Sequence, residues 1–222
     1  MRIWAIVPLA ALILAGCTTS VPEPPVSAPA SPQSTGPTVL ATVALQLSSS
    51  TIAAVDSSGA IVADSPLDGP ISNTLALIEE TLNQPPAQTR FEEDECTDAR
   101  GITYYTWGES AVTVVQQDSV SSLATWRSPG AYRVQFASRS IGEIDLRGAA
   151  GLRVGDDAQS FVSALSADYV IAASESAVWI IAEERGTYSN SLGEGRWGLG
   201  GIVDSGTVTS WQTPAYVLDS RC

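Results

Sequence analysis

The chain has no histidine and no lysine; all eleven of its basic residues are arginine. Those absences exclude most ways of making a nucleophile. No Ser-His-Asp triad, Cys-His dyad, Ser-Lys pair or Schiff-base lysine can be assembled. Zinc loses its usual imidazole ligands, and three cysteines in 222 residues do not replace them, so no metal centre is expected. Positive charge is scarce: 11 Arg stand against 24 Asp and Glu, a formal charge of −13. A phosphate backbone needs clustered cations, so nucleic acid is excluded as a partner. No phosphate-cradling glycine motif is present, and no cofactor is expected. No apolar run reaches the roughly 20 residues of a membrane span. The chain is nevertheless 44% hydrophobic, enough for a real core in one globular unit.

The first forty residues divide into two segments. Arg2 precedes twelve apolar residues, 3–14, and the run ends in Leu14-Ala15-Gly16-Cys17. A short apolar stretch with a basic start and small residues before its end reads as a signal peptide, residues 1–16. Leu14-Ala15-Gly16-Cys17 resembles the lipobox of bacterial lipoproteins at every position. The resemblance implies that the Cys17 sulfur receives a diacylglyceryl group and that Cys17 becomes the mature N-terminus. Two acyl chains, at about 0.8 kcal/mol per buried methylene, anchor stably where one is marginal. The bilayer is thus an expected partner through Cys17, with the protein on the extracytoplasmic face. Residues 17–38 carry the lipidated Cys and a Pro/Ser/Thr-rich stretch that cannot bury enough surface to order itself, and so read as a tether.

Residues 39–222 contain echoes of one another. Residues 52–64 match 144–156 at Ile, Gly, Val and Asp, and Trp126 with Pro129 echoes Trp211 with Pro214. These predict two tandem repeats, 39–140 and 141–222. In the first, Ile71, Leu75, Ile78 and Leu82 form one helical stripe, entered at Pro70 and stopped by Pro85-Pro86. In the second, Asp156 or Asp157 caps a shorter helix with Phe161, Val162 and Leu165 on its apolar face. β-Branched and aromatic runs at 39–47, 102–107, 111–116, 123–126, 132–136, 169–173, 178–182, 199–203 and 207–211 read as strands. The predicted fold class is α+β, each repeat a helix packed on an antiparallel sheet. Gly193–Gly201 reads as a flexible loop.

The stretch 151–165, GLRVGDDAQSFVSAL, is similar to a segment of several small bacterial envelope lipoproteins. Among them are the small outer-membrane assembly lipoprotein and the tandem-repeat β-lactamase inhibitor proteins. The chain as a whole resembles lipoproteins of high-G+C Gram-positive bacteria. The resemblance implies a helical element on an antiparallel sheet, with an exposed sheet face or loops binding another protein. The first repeat departs from the pattern at Ala63, where the second has Gly155.

An extracytoplasmic location makes Cys96 and Cys222 an expected disulfide, pinning the C-terminus to the first repeat. Free thiols are the alternative. The acidic run Glu92 to Glu95 with Asp98 reads as a solvated loop, because ordered calcium-loop spacing is missing. Of the aromatics, Trp179 reads as core and Trp126 with Trp211 as structural. Trp107, Trp197, Tyr104, Tyr105 and Tyr188 are the candidates for an exposed binding surface. The function these features imply is a non-enzymatic module that binds another envelope protein. The alternatives are a sensor of a small ligand or cell-wall glycan using the same aromatics, and a carboxylate-dependent hydrolase.

Overall fold

The structure is a computed structural model and describes residues 41–93, 100–119, 132–172, 174–190 and 193–216. Residues 39–222 form one compact unit. Its chain order begins β1 (Thr42–Leu47), β2 (Thr51–Asp56), β3 (Ile61–Pro66), α1 (Ile71–Leu82), β4 (Ala87–Glu93), β5 (Arg100–Trp107), β6 (Val112–Ser119) and β7 (Tyr132–Phe136). It continues with β8 (Ser140–Ile141), β9 (Ile144–Arg147), α2 (Gln159–Ala164), β10 (Val170–Ala172), β11 (Ala177–Asn190), β12 (Gly193–Asp204) and β13 (Thr207–Tyr216).

The strands make two sheets. A five-stranded sheet runs β3-β2-β1-β9-β8, and an eight-stranded sheet runs β10-β11-β12-β13-β7-β6-β5-β4. This corrects the expected α+β class: the described chain is mostly β, with thirteen strands against two α-helices. Nor does each half carry a helix packed on its own sheet. α2 has six residues and buries none of them, and Leu165, meant for its apolar face, already stands in extended backbone at φ −76°, ψ 147°. Phe161, Val162 and Leu165 pack on the core only in part. Six residues close too few intrahelical hydrogen bonds to make an independent layer.

The halves are interleaved. β1 pairs with β9 in parallel, placing Ala44 beside Asp145, and β7 pairs with β13, placing Val134 beside Thr213. The echoed segments also fold differently: 52–64 is the β2–β3 hairpin, whereas 144–156 is the single strand β9 followed by a 3-10 turn at Ala149–Gly151. What does recur is a helix followed by an antiparallel four-stranded meander, α1 then β4 to β7 and α2 then β10 to β13. The meanders join at β7 and β13.

α1 follows its stripe. Leu77 and Ile78 are buried, Ile71, Leu75 and Leu82 partly so, and Asn83 ends the helix in the left-handed conformation at φ 49°. The helix lies against β1, β2 and β3, and a buried hydroxyl chain carries it to the second sheet. Ser65 Oγ and Thr74 Oγ1 are 2.9 Å apart, as are Thr74 Oγ1 and the Tyr132 hydroxyl. The main core contains Leu45, Leu47 and Ile52 from the smaller sheet, the α1 residues, and Trp107, Val112, Val134, Phe136, Leu199 and Trp211 from the larger one. Fully burying side chains of this size stabilises by about 1.5–3 kcal/mol each.

Gly193–Gly201 is not a loop but most of β12, in the middle of its four-stranded meander. The glycines are there because neighbouring backbones come too close for a Cβ. At Gly198 it would collide with the Glu183 carbonyl, and at Gly201 it would lie 2.6 Å from the Ser210 carbonyl oxygen and 2.9 Å from the Trp211 ring. The predicted strand at 123–126, with Trp126, lies outside the described residues, as do the segments expected to be signal and tether, Cys17, Cys96 and Cys222. Among the described residues no helix is long and apolar enough to cross a membrane.

Candidate functional site

Alternation along the strands sorts the eight-stranded sheet into two faces. Tyr105 and Trp107 on β5, Val112 and Val114 on β6, Val134 and Phe136 on β7 and Trp211 on β13 point into the core. Their neighbours point the other way. One outward row runs Arg133–Val115–Tyr104–Thr89 across β7, β6, β5 and β4, and the next runs Gln117–Ile102–Phe91. On β10 to β12 the outward row is Ile171–Trp179–Ile202.

On β13, β7, β6 and β5 this outer face joins apolar anchors to polar side chains that, Arg133 apart, are uncharged among the described residues. Phe91 is 51% exposed and meets Tyr104 edge-on, ring centroids 5.6 Å apart at 89°. Ile102 and Val115 lie beneath Tyr104 as a small cluster separate from the main core. Gln117, Gln135 and Gln212 are half-buried beside them. Among the described side chains, β13, β7, β6 and β5 present no carboxylate outward, in a chain that carries 24. Depletion of charge around aromatic anchors is the composition of an interface centre.

The five aromatics singled out in the sequence do not form one surface. Trp107 is 1% exposed in the core, and its Nε1 donates to the Gln84 carbonyl at 2.9 Å, so it is corrected to a structural residue. Tyr105 shares its inward direction and packs on the core, its hydroxyl 3.4 Å from Gln116 Oε1. Trp197 is half-buried on the inward side of β12, with the Arg185 guanidinium 5.3 Å from its ring centroid. Only Tyr104 stands on the outer face; Tyr188 is placed by its backbone alone, opposite Gly195. Trp179, expected in the core, is half-buried and outward. Phe91, which no motif marked, is the most exposed aromatic on that face; β4 gave no strand signal because Arg90 and the acidic run follow so closely.

No family model, curated protein or solved structure matches the chain. The geometry therefore carries the functional argument.

Three polar clusters surround the sheets. At the far end of the outer face, Tyr169 donates to Glu184 Oε2 at 2.5 Å, and Arg196 Nη1 donates to the same oxygen and to the Tyr169 hydroxyl at 3.1 Å. The Tyr169 and Arg196 bonds hold the Glu184 carboxyl below its ordinary range, and the same carboxylate pushes the Tyr169 phenol up. On the inner side, Arg185 bonds Asp68 at 3.0 Å and Glu183 accepts from the Ser49 N–H at 3.0 Å, fastening β11 to the smaller sheet's loops. The third is a ladder, Arg147–Asp145–Arg153–Asp156–Arg139. Partial burial opposes ionisation of Asp145, but bonds from Arg147 and Arg153 outweigh it and lower its pKa. Asp156 is lowered first by the Arg153 N–H and then by Arg139. In all three clusters acceptors face donors within the chain, so none offers a carboxylate pair free for acid–base work.

An open depression of ≈ 590 Å³ lies where the β5–β6 turn meets residues 137–142. Glu109 is the sole titratable side chain lining it. Among the described residues, no three Asp, Glu, Cys or His side chains converge to hold a metal.

Proposed function

We propose that the chain is a non-enzymatic, lipid-anchored lipoprotein of the extracytoplasmic membrane face that binds another envelope protein through the outer face of its eight-stranded sheet. The observation that carries this reading is that face, where Phe91, Tyr104 and Trp179 stand outward among Thr and Gln and four adjacent strands turn no described carboxylate outward. Aromatic anchors in a weakly charged surround give much contact area at little desolvation cost. The lipobox supports the anchor. The glycan-sensing alternative loses support because Trp107 is buried and Trp197 lies against Arg185, leaving neither indole free to stack on a sugar. Catalysis finds no support in clusters whose polar groups satisfy one another.

The test places a photo-crosslinking phenylalanine derivative at Phe91 or Tyr104 in the cell, with Asn73 on the exposed side of α1 as the control. The expected result is one reproducible adduct from the sheet positions and none from the control. Equal patterns from both would refute the reading. An alkyne-tagged palmitate that labels the wild type but not Cys17→Ala checks the anchor.

A further inference from the structure

Arginine is the chain's sole cation, and the structure accounts for nearly every one it describes. Seven arginines have described side chains, and six are ion-paired: Arg90 with Glu92, Arg139 with Asp156, Arg147 and Arg153 with Asp145, Arg185 with Asp68, and Arg196 with Glu184. The seventh, Arg133, has no ion pair or hydrogen bond among the described residues. It is exposed, and it sits on β7 at the centre of the eight-stranded sheet. With 24 carboxylates against 11 arginines, an unpaired guanidinium there is not a matter of supply.

Its surroundings define what fits. Arg133 lies opposite Val115, which lies opposite Tyr104, so the guanidinium and the Tyr104–Phe91 patch share one cross-strand row. Two strand spacings of about 4.8 Å separate them by about 10 Å. Thr113 and Gln135 occupy the adjoining row and bring no charge. The guanidinium fork takes a carboxylate bidentately, and among the described residues no carboxylate pairs with it.

Resting on the reading of this face as protein-binding, we infer that the partner is a polypeptide segment that brings an Asp or Glu carboxylate to Arg133. The same segment sets an apolar side chain on Tyr104 and Phe91 about 10 Å away. The apolar contact supplies area; the charge pair sets register and selects the partner.

The test uses the full chain in detergent micelles and a displayed library of random 12-residue peptides as the probe. Peptides selected by the wild type, then synthesised, are expected to share an Asp or Glu. Their affinity is expected to fall at least tenfold with Arg133→Gln and to recover only in part with Arg133→Lys, which restores the charge but not the fork, while Arg133→Glu selects basic peptides instead. Arg133 is exposed, so these variants keep the wild-type circular dichroism. Selected peptides that lack a carboxylate, or that ignore Arg133→Gln yet are lost with Tyr104→Ala, would overturn the carboxylate inference and leave the protein-binding face standing. Peptides indifferent to Arg133, Tyr104 and Phe91 alike would overturn the face itself. Selection of no peptide, together with polygalacturonate binding that Arg133→Gln abolishes, would assign the site to an anionic glycan and refute the inference, as would concentration-dependent self-association that Arg133→Gln removes. Selection of nothing, with neither of those, would refute it as well.

Discussion

Trp211 is 0% exposed and packs against two glycines, which makes its environment open to a direct steric test. A Cβ built on Gly148 would lie 2.3 Å from indole atom Cδ2, and one built on Gly201 2.9 Å from Cε3. The ring thus has backbone packed close against its five-membered ring at Gly148 and its six-membered ring at Gly201. Gly148 has φ −107°, so Ala there carries no left-handed strain and the cost of Gly148→Ala is steric. Overpacking a tight core costs about 1–3 kcal/mol, and the pinched ring puts this site at the upper end. Trp211→Leu alone loses buried area and is expected to cost about 3 kcal/mol, within the range for large-to-small core changes. In the double variant the smaller side chain admits the new methyl. The double variant is therefore expected to be more stable than additivity allows, by about 1–2 kcal/mol of coupling. Urea denaturation of all four proteins, followed by far-ultraviolet circular dichroism, gives the cycle, provided the slope with denaturant is unchanged. A Gly148→Ala protein within 0.5 kcal/mol of wild type, or a strictly additive cycle, would refute the packing argument.

Further outcomes follow from other sites. The β5–β6 turn holds Gly108, Glu109 and Ser110 at φ +55°, +54° and +72°, and Ala111 N–H bonds the Gly108 carbonyl at 3.0 Å. Replacing Glu109-Ser110 by Asn-Gly, which accept left-handed backbone, is expected to stabilise by about 1 kcal/mol or more in the same urea assay. Thr74→Val leaves the Ser65 and Tyr132 hydroxyls without their buried mutual partner and is expected to cost about 1–3 kcal/mol, whereas an isosteric swap that costs nothing would show the chain of hydroxyls to be idle. Asp145 and Asp156 have folded pKa values below 3.8, so the stability they add is present above the unfolded pKa and lost as pH falls through the folded one. Melting temperatures between pH 5 and 2 are expected to drop less steeply for the Asp145→Asn, Asp156→Asn protein than for wild type. For Cys96 and Cys222, intact mass without reductant is expected to be two hydrogens below the reduced mass; equal masses would remove the disulfide.

The parts of the fold that the sequence disclosed are those where one local signal dominates. The stripe Ile71, Leu75, Ile78 and Leu82 with flanking prolines specifies α1 without reference to anything else, and Tyr132–Phe136 is a strand as read. β3 was missed because, as an edge strand, it exposes Ile61 through Asp64 and so carries no buried alternation. Of β12 only 199–203 was read as strand; its first half was missed because glycines such as Gly198 answer to backbones contributed by a neighbouring strand, a demand no local window displays. The aromatic site failed for a similar reason. Tyr104 and Tyr105 are adjacent in sequence and face opposite sides of one sheet, a distinction that only register supplies. Arg133 could have been noticed as a lone cation among β-branched and amide residues, but that it lacks a partner among the described residues is a three-dimensional fact.

The seam between β7 and β13 has a consequence for the order in which the protein can acquire its shape. β13 lies in the middle of the larger sheet, bonded on one side to its sequence neighbour β12 and on the other to β7, some 75 residues earlier. The same holds on the smaller sheet, where β1 waits for β9. Until β13 arrives the two meanders have no common ladder and Trp211 is missing from the core. A chain without β13 therefore lacks the ladder that joins its two meanders. Closure of both sheets thus depends on pairings between strands far apart in sequence, the kind of contact whose loop-closure entropy must be overcome before it contributes and which slows folding.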